Sequence, residues 1–336
     1  MAASLGRSSA VFAVMTLASR VLGLLRDMLV ARYFDAVVTD AFYAALRIPN
    51  TLRRFFAEGS FANAFVPVFS ATRTEHPEEL KDLLCHTSGT LLGILLAVTA
   101  LGVLFSSTVI ALVASGLSER PDQYLLASDM LRLMFPYILL ISLTAMAGGV
   151  LNTFGQFGIP ALTPVLLNIT LIAACLWRHY HATPTHGLYG MELAWAVLIG
   201  GIAQLALQLP FLWKCGMLLR PRWGWRHSGV RRILKLMLPT LFGSSVGQLT
   251  VLINTYLASW LVTGSISWLY YSDRLVELPV GLIGVALGAA IGLAGVAALM
   301  GTQAGSGLNL QLPWPALIGI LLASAAVGVL ASLRPA

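Results

Sequence analysis

From Leu236 to Leu333 the chain carries only three charged residues, Asp273, Arg274 and Glu277, and all three fall in one short stretch, "YYSDRLVELP". A run so poor in charge cannot form the exterior of a water-soluble domain, where about a quarter of residues are charged. It needs a solvent that accepts apolar side chains on every face. A bilayer core is such a solvent, and about 20 apolar residues cross it as a helix. Backbone groups inside that core must pair within the protein, so a helical bundle follows. The whole chain agrees: of its 336 residues, 57% are hydrophobic and 10% charged. The fold class expected is an all-α, polytopic integral membrane protein.

Apolar runs predict spans near 9–31, 39–53, 87–113, 125–151, 160–177, 193–213, 238–262, 266–287 and 313–333. A short segment, 55–69, follows the second span, and Pro49 is expected to break that span's helix. Residues 72–82, "TRTEHPEELKD", read as a polar loop. Only Arg7 precedes the first apolar run, and no small-residue cleavage site follows it, so the run reads as a retained span.

The net charge of +7 reflects topology and not a nucleic-acid partner. Lys214, Arg220, Arg222, Arg226, Arg231, Arg232 and Lys235 crowd one connection, which the positive-inside rule makes cytoplasmic. Six spans precede it, so the N-terminus is expected on the same side. The loop with His179, His181 and His186 then lies opposite; with no acidic or cysteine ligand beside them, these histidines read as solvated. Cys85, Cys175 and Cys215 lack redox or metal-ligand spacing and read as packing residues. No metal or cofactor site is expected, and no DDxxD cluster suggests an enzyme of polyprenyl diphosphates.

Charges inside the spans carry the functional signal. A central arginine costs about 2.5–3.5 kcal/mol on insertion scales, so it faces a bundle interior or wet cavity. The first span holds Arg20, Arg26 and Asp27. The second holds Asp40 and Arg47, with Asn50, Arg53, Arg54 and Glu58 just beyond. Asp273, Arg274 and Glu277 complete the set. The bland alternative is mutual neutralisation. The functional reading is a basic cavity of Arg20, Arg26, Arg53 and Arg274, whose guanidinium forks suit a phosphate or diphosphate. There is also an internal echo: "ARYFDAVVTDAFYAALRIP" aligns with "ASWLVTGSISWLYYSDRLVELP", placing Tyr43 on Tyr270 and Arg47 on Arg274. Both copies cross in the same sense, as in a parallel repeat about an axis along the membrane normal.

The stretches "SRVLGLLRD", "TDAFYAALRIPNTLRRFFAEGSFANAFVPV", "FPYILLISL", "LNTFGQFGIPALTPVLLNI" and "SWLYYSDRLVELPVGLIGVALG" resemble the MurJ (MviN) family of lipid II flippases. The resemblance implies transport of an undecaprenyl-diphosphate-linked peptidoglycan precursor across the bacterial cytoplasmic membrane, by alternating access between two helical lobes. It places Ser19, Arg20, Arg26, Asp40, Arg53 and Arg274 at the cargo. Asp27, Asn50, Glu58, Asp273 and Glu277 are read as supporting or gating residues. It implies membrane lipids and cell-wall synthesis proteins as partners, and no enzymatic step. The alternatives are a non-transporting lobe and an exporter of another lipid-linked polysaccharide.

The expected organisation is a six-helix lobe (1–213), a basic loop (214–235), two helices of a second lobe (236–288) and a tail with one span (289–336). Asp35 stands where the family has glycine, which predicts a stiffer turn after the first span. After about Gly288 the chain is expected to leave the family, its tail resembling the last helix of an ABC permease of the MacB/FtsX type. Most of the second lobe is then missing, which predicts impaired transport.

Overall fold

The computed structural model describes residues 2–58, 60–181, 189–218 and 220–276. Every regular element among them is helical: α1 (Ala2–Tyr33), α2 (Ala36–Arg53), α3 (Ser60–Glu75), α4 (Leu80–Leu104), α5 (Ser106–Val113), α6 (Pro121–Met134), α7 (Tyr137–Thr153), α8 (Gly158–Tyr180), α9 (Met191–Lys214), α10 (Ser228–Ser259) and α11 (265–276). Four helical stretches among these residues are long and apolar enough to cross a membrane: α4, α6 with α7 (Pro121–Thr153), α8 and α9. A fifth is α10 if its two halves count as one span.

Helix ends differ from the sequence expectation for local reasons. α2 runs through Pro49, because one proline removes a single ladder bond that a buried helix tolerates. The break comes later, as a π-helical turn at Arg54–Glu58. The polar loop shrinks to 76–79, since α3 continues to Glu75 and α4 begins at Leu80. Arg73 fastens the end of α3 by donating to the Thr153 carbonyl while its guanidinium lies 4.1 Å from the Phe154 ring centre. The expected span 87–113 divides at Phe105 into α4 and α5, and 125–151 divides at Phe135–Pro136 into α6 and α7. α10 bends by 48° between Ser228–Gly243 and Ser245–Ser259. Gly243 and the serine after it are where such kinks arise.

The turn at Asp35 is built as the sequence suggested. Asp35 caps α2 by accepting from the Val38 amide at 2.9 Å, and its other oxygen accepts from the Tyr189 hydroxyl at 3.1 Å. Burial pushes the Tyr189 phenol up, so it remains a donor to that carboxylate at ordinary pH.

α8 lies between α1 and α9, α9 packs on α7, and α2 on α6. Phe61, Phe65 and Phe69 stack down one face of α3 with ring centres 5.3 and 5.2 Å apart. The outside is the reverse of a soluble protein: Leu104, Leu112, Phe242 and Val246 are each at least 70% exposed. That surface requires lipid around it.

Candidate functional site

The equivalent residues of the internal echo meet. The Tyr43 and Tyr270 rings stack 3.9 Å apart at 19°. One turn earlier, Asp40 meets its equivalent Ser267, whose amide and hydroxyl donate to it at 2.8 and 2.6 Å. Arg47 and its equivalent Arg274 both lie over Tyr270, 5.6 and 5.4 Å from the ring centre. Two like-with-like contacts, and two equivalent arginines over one ring, set α2 beside α11.

Arg26 stands at the centre. Its Nε and Nη2 donate to Asp27 Oδ1 at 2.9 and 2.6 Å, Nη1 to Asn168 Oδ1 at 3.0 Å, and Nη2 also to the Tyr270 hydroxyl at 2.9 Å. Asn168 is itself fixed, donating from Nδ2 to the Ser19 carbonyl at 3.0 Å. Thus α1, α8 and α11 are joined through one buried guanidinium. Arg274 Nε donates to the same Tyr270 hydroxyl at 3.2 Å and lies 3.9 Å from Asp27 Oδ2. Its side chain stays 43% exposed, against 8% for Arg26. Arg47 pairs with Asp273 at 3.1 Å.

The expected residues therefore separate. Arg26, Asp27, Arg274 and Asp273 gather around Tyr270, and Ser19 joins through its carbonyl. Asp40 is drawn into a different task. Only 1% exposed, it accepts from the amides of Gly264 and Ser267 and caps α11. Arg20 is exposed, and no ion pair among the described residues joins it to the cluster. Asn50 and Arg53 are half-buried at the end of α2. Glu277 and the side chain of Glu58 lie outside the described residues. Asn168, Tyr270 and Tyr271 belong to the site, yet none was singled out as a site residue from the sequence. A lone asparagine in "LTPVLLNITLI" was the signal for Asn168.

Around Gly264 the backbone is tied down. Besides the Asp40 cap, the Gly116 amide donates to Ser259 Oγ at 3.0 Å, Arg120 to the Leu261 carbonyl at 2.6 Å, and Trp260 Nε1 to Ser115 Oγ at 3.0 Å. Beyond Tyr270, residues 272–276 are exposed. The arrangement gathers two guanidiniums around one tyrosine hydroxyl, with Arg274 on the exposed side. Arg26 makes four hydrogen bonds to protein partners, and Arg274 is the more exposed of the two guanidiniums.

A sequence model of the family described as lipid II flippase MurJ matches residues 9–332. The chain belongs to the MurJ family. That match runs on past the departure expected near Gly288, into residues that lie outside those described. The lipid II flippase MurJ of Burkholderia cenocepacia is 46% identical over 81% of this chain and 53% of its own length. The probable lipid II flippase MurJ of Vibrio cholerae is 45% identical over 85% and 55%. That of Bdellovibrio bacteriovorus is 36% identical over 94% and 62%. A solved structure titled "Lipid II flippase MurJ, inward closed conformation" aligns with a TM-score of 0.67 at 30% identity, covering 83% of this chain and 57% of that one. The chain spans about half the length of the curated MurJ relatives it matches.

A second polar cluster went unnoticed in the sequence. Asp82 Oδ2 lies 3.2 Å from His86 Nδ1 and 3.2 Å from His227 Nε2, on α4 and at the start of α10. Three such groups can hold a metal ion. The hydrogen bonds favour another assignment. His227 Nδ1 accepts from the Gly229 amide, so its proton sits on Nε2 and is donated to Asp82. A metal on Nε2 would force a proton onto Nδ1, against that amide.

Proposed function

We propose that this chain contributes the anion site through which a MurJ-family transporter moves lipid II, an undecaprenyl-diphosphate-linked precursor, between leaflets of the bacterial cytoplasmic membrane. The observation that carries the reading is the partly exposed Arg274, held by Tyr270 beside the buried Arg26–Asp27 pair. A diphosphate suits the paired guanidinium forks, and entering an already partnered site limits the desolvation cost. The Asp40 cap at Gly264 would act as the seal of one approach, and by the positive-inside rule the other approach, with the N-terminus, is cytoplasmic. Loading from the inner leaflet follows, and release needs the seal to open. No covalent step is required, so the activity is transport and not enzymatic turnover. Any cell-wall synthesis partner would act on the delivered precursor.

The test is co-purification. The chain, extracted in mild detergent, should retain a polyprenyl diphosphate in preference to its monophosphate, and Arg274→Ala should remove the preference while leaving the melting temperature unchanged. Equal retention of both lipids by the unaltered chain would overturn the reading.

A further inference from the structure

The cationic stretch 220–227 is not a loose loop. It is laid against α4 by bonds from the Arg222 amide to the Cys85 carbonyl at 2.9 Å and from the Gly224 amide to Thr90 Oγ1 at 3.2 Å. Two glycines of α4 allow the approach. A Cβ on Gly89 would stand 2.2 Å from the Arg222 carbonyl oxygen, and one on Gly93 would stand 2.4 Å from the Trp223 ring. The result is a preformed cleft of about 880 Å³ lined by His86, Trp223, Gly224, Trp225, Arg226 and His227.

Its chemistry is layered. Trp223 and Trp225 are 65% and 51% exposed, with rings nearly parallel at 12° and centres 6.4 Å apart. Trp223 reaches Gly93, seven residues further along α4 than His86, which is about 10 Å at 1.5 Å per residue. From Leu91 to Leu104 α4 carries no charge, so that direction leads into the bilayer. The indole therefore sits deeper, and Arg226 and the imidazoles sit higher. Asp82 is already taken by both histidines. Arg226, with Arg220 and Arg222 beside it, has no ion-pair partner among the described residues. His86 donates from Nδ1 to the Asp82 carbonyl and carboxylate, which leaves Nε2 as an acceptor for a hydroxyl.

We propose that this cleft is a binding site for the headgroup of an anionic phospholipid in the leaflet on the basic side, separate from the Arg26–Arg274 site. The phosphate meets Arg226, a headgroup hydroxyl donates to His86 Nε2, and the glycerol and upper acyl region lie on Trp223 and Trp225. Indoles favour this depth of the membrane, and cations beside an anionic leaflet gain about 1 kcal/mol each, roughly a fivefold preference. Because the cleft lies where α4 meets the start of α10, an occupied site would hold those two helices together.

The test places the purified chain in nanodiscs of phosphatidylcholine with and without phosphatidylglycerol, and counts retained lipids by native mass spectrometry. Phosphatidylglycerol should be retained over phosphatidylcholine. Arg226→Glu should lower its retention at least roughly fivefold, with no change in melting temperature, and Arg226→Lys should largely preserve it. Lys235→Glu makes the same charge change on α10 outside the cleft and should have little effect. Equal retention of the two lipids, or an equal loss in both glutamate variants, would show a diffuse field and overturn the proposal. Displacement of the lipid by inorganic phosphate at matched ionic strength would overturn it as well.

Discussion

Asp40→Asn isolates the seal near Gly264. The Asp40 carboxylate, 1% exposed, receives the Gly264 amide at 2.6 Å, the Ser267 amide at 2.8 Å and the Ser267 hydroxyl at 2.6 Å. Asparagine keeps one acceptor oxygen and turns an NH₂ group toward a backbone N–H. If the oxygen stays with Ser267, the Gly264 amide loses a charge-assisted bond worth about 1.5–3 kcal/mol and remains buried without a partner. Taking about 2–3 kcal/mol, and 1.4 kcal/mol per tenfold, the opening equilibrium at the start of α11 shifts by roughly 30- to 150-fold. Hydrogen exchange reads that shift directly, because amides there exchange through local opening. A peptide covering 261–270 should exchange faster by about that factor, while a peptide from α8 should not change. Unaltered exchange at 261–270, with the variant folded and abundant, would refute the cap as a clamp between α2 and α11.

Other perturbations separate the remaining roles. Arg274→Lys should support transport poorly at normal abundance, because a compact ammonium replaces a planar fork; full activity would make Arg274 a mere partner of nearby acids. Tyr270→Phe keeps the stack on Tyr43 but removes the hydroxyl shared by Arg26 and Arg274. It should lower the melting temperature modestly, by the equivalent of about 1–3 kcal/mol, and raise precursor accumulation in cells that depend on the transporter. Gly89→Ala should push the basic connection off α4, and trypsin should then cut after Arg222 or Arg226 faster than in the parent.

The fold was legible wherever hydrophobic runs were long. Charge-poor stretches announced membrane helices, whereas the echo of Tyr43 and Arg47 in Tyr270 and Arg274 suggested a repeat but not that the two copies touch. Helix ends were less legible. Pro49 is tolerated inside α2, whereas Phe105 and Pro136 divide runs that read as continuous, because neighbouring helices decide which breaks survive. In the site, residue type identified the charges but not their partners. Asp40 looked like a cavity acid and is instead a helix cap, since its partners are backbone amides more than 200 residues away. Asn168 and Tyr270 carry no formal charge, and a search built on charge passes over them. The Asp82–His86 pair has helical i,i+4 spacing, but His227 joins it from about 140 residues away, which no spacing rule reveals.

The central claim is that the cluster around Arg274 meets the diphosphate of a lipid-linked precursor. A photoreactive amino acid at Ser272, which is exposed two residues from Arg274, tests it in intact cells supplied with radiolabelled peptidoglycan precursor. The account predicts a cross-linked adduct that carries the label and disappears in the Arg274→Ala background at equal protein level. Labelled adduct of equal yield in the Arg274→Ala protein, or cross-links to bulk phospholipid alone, would contradict it.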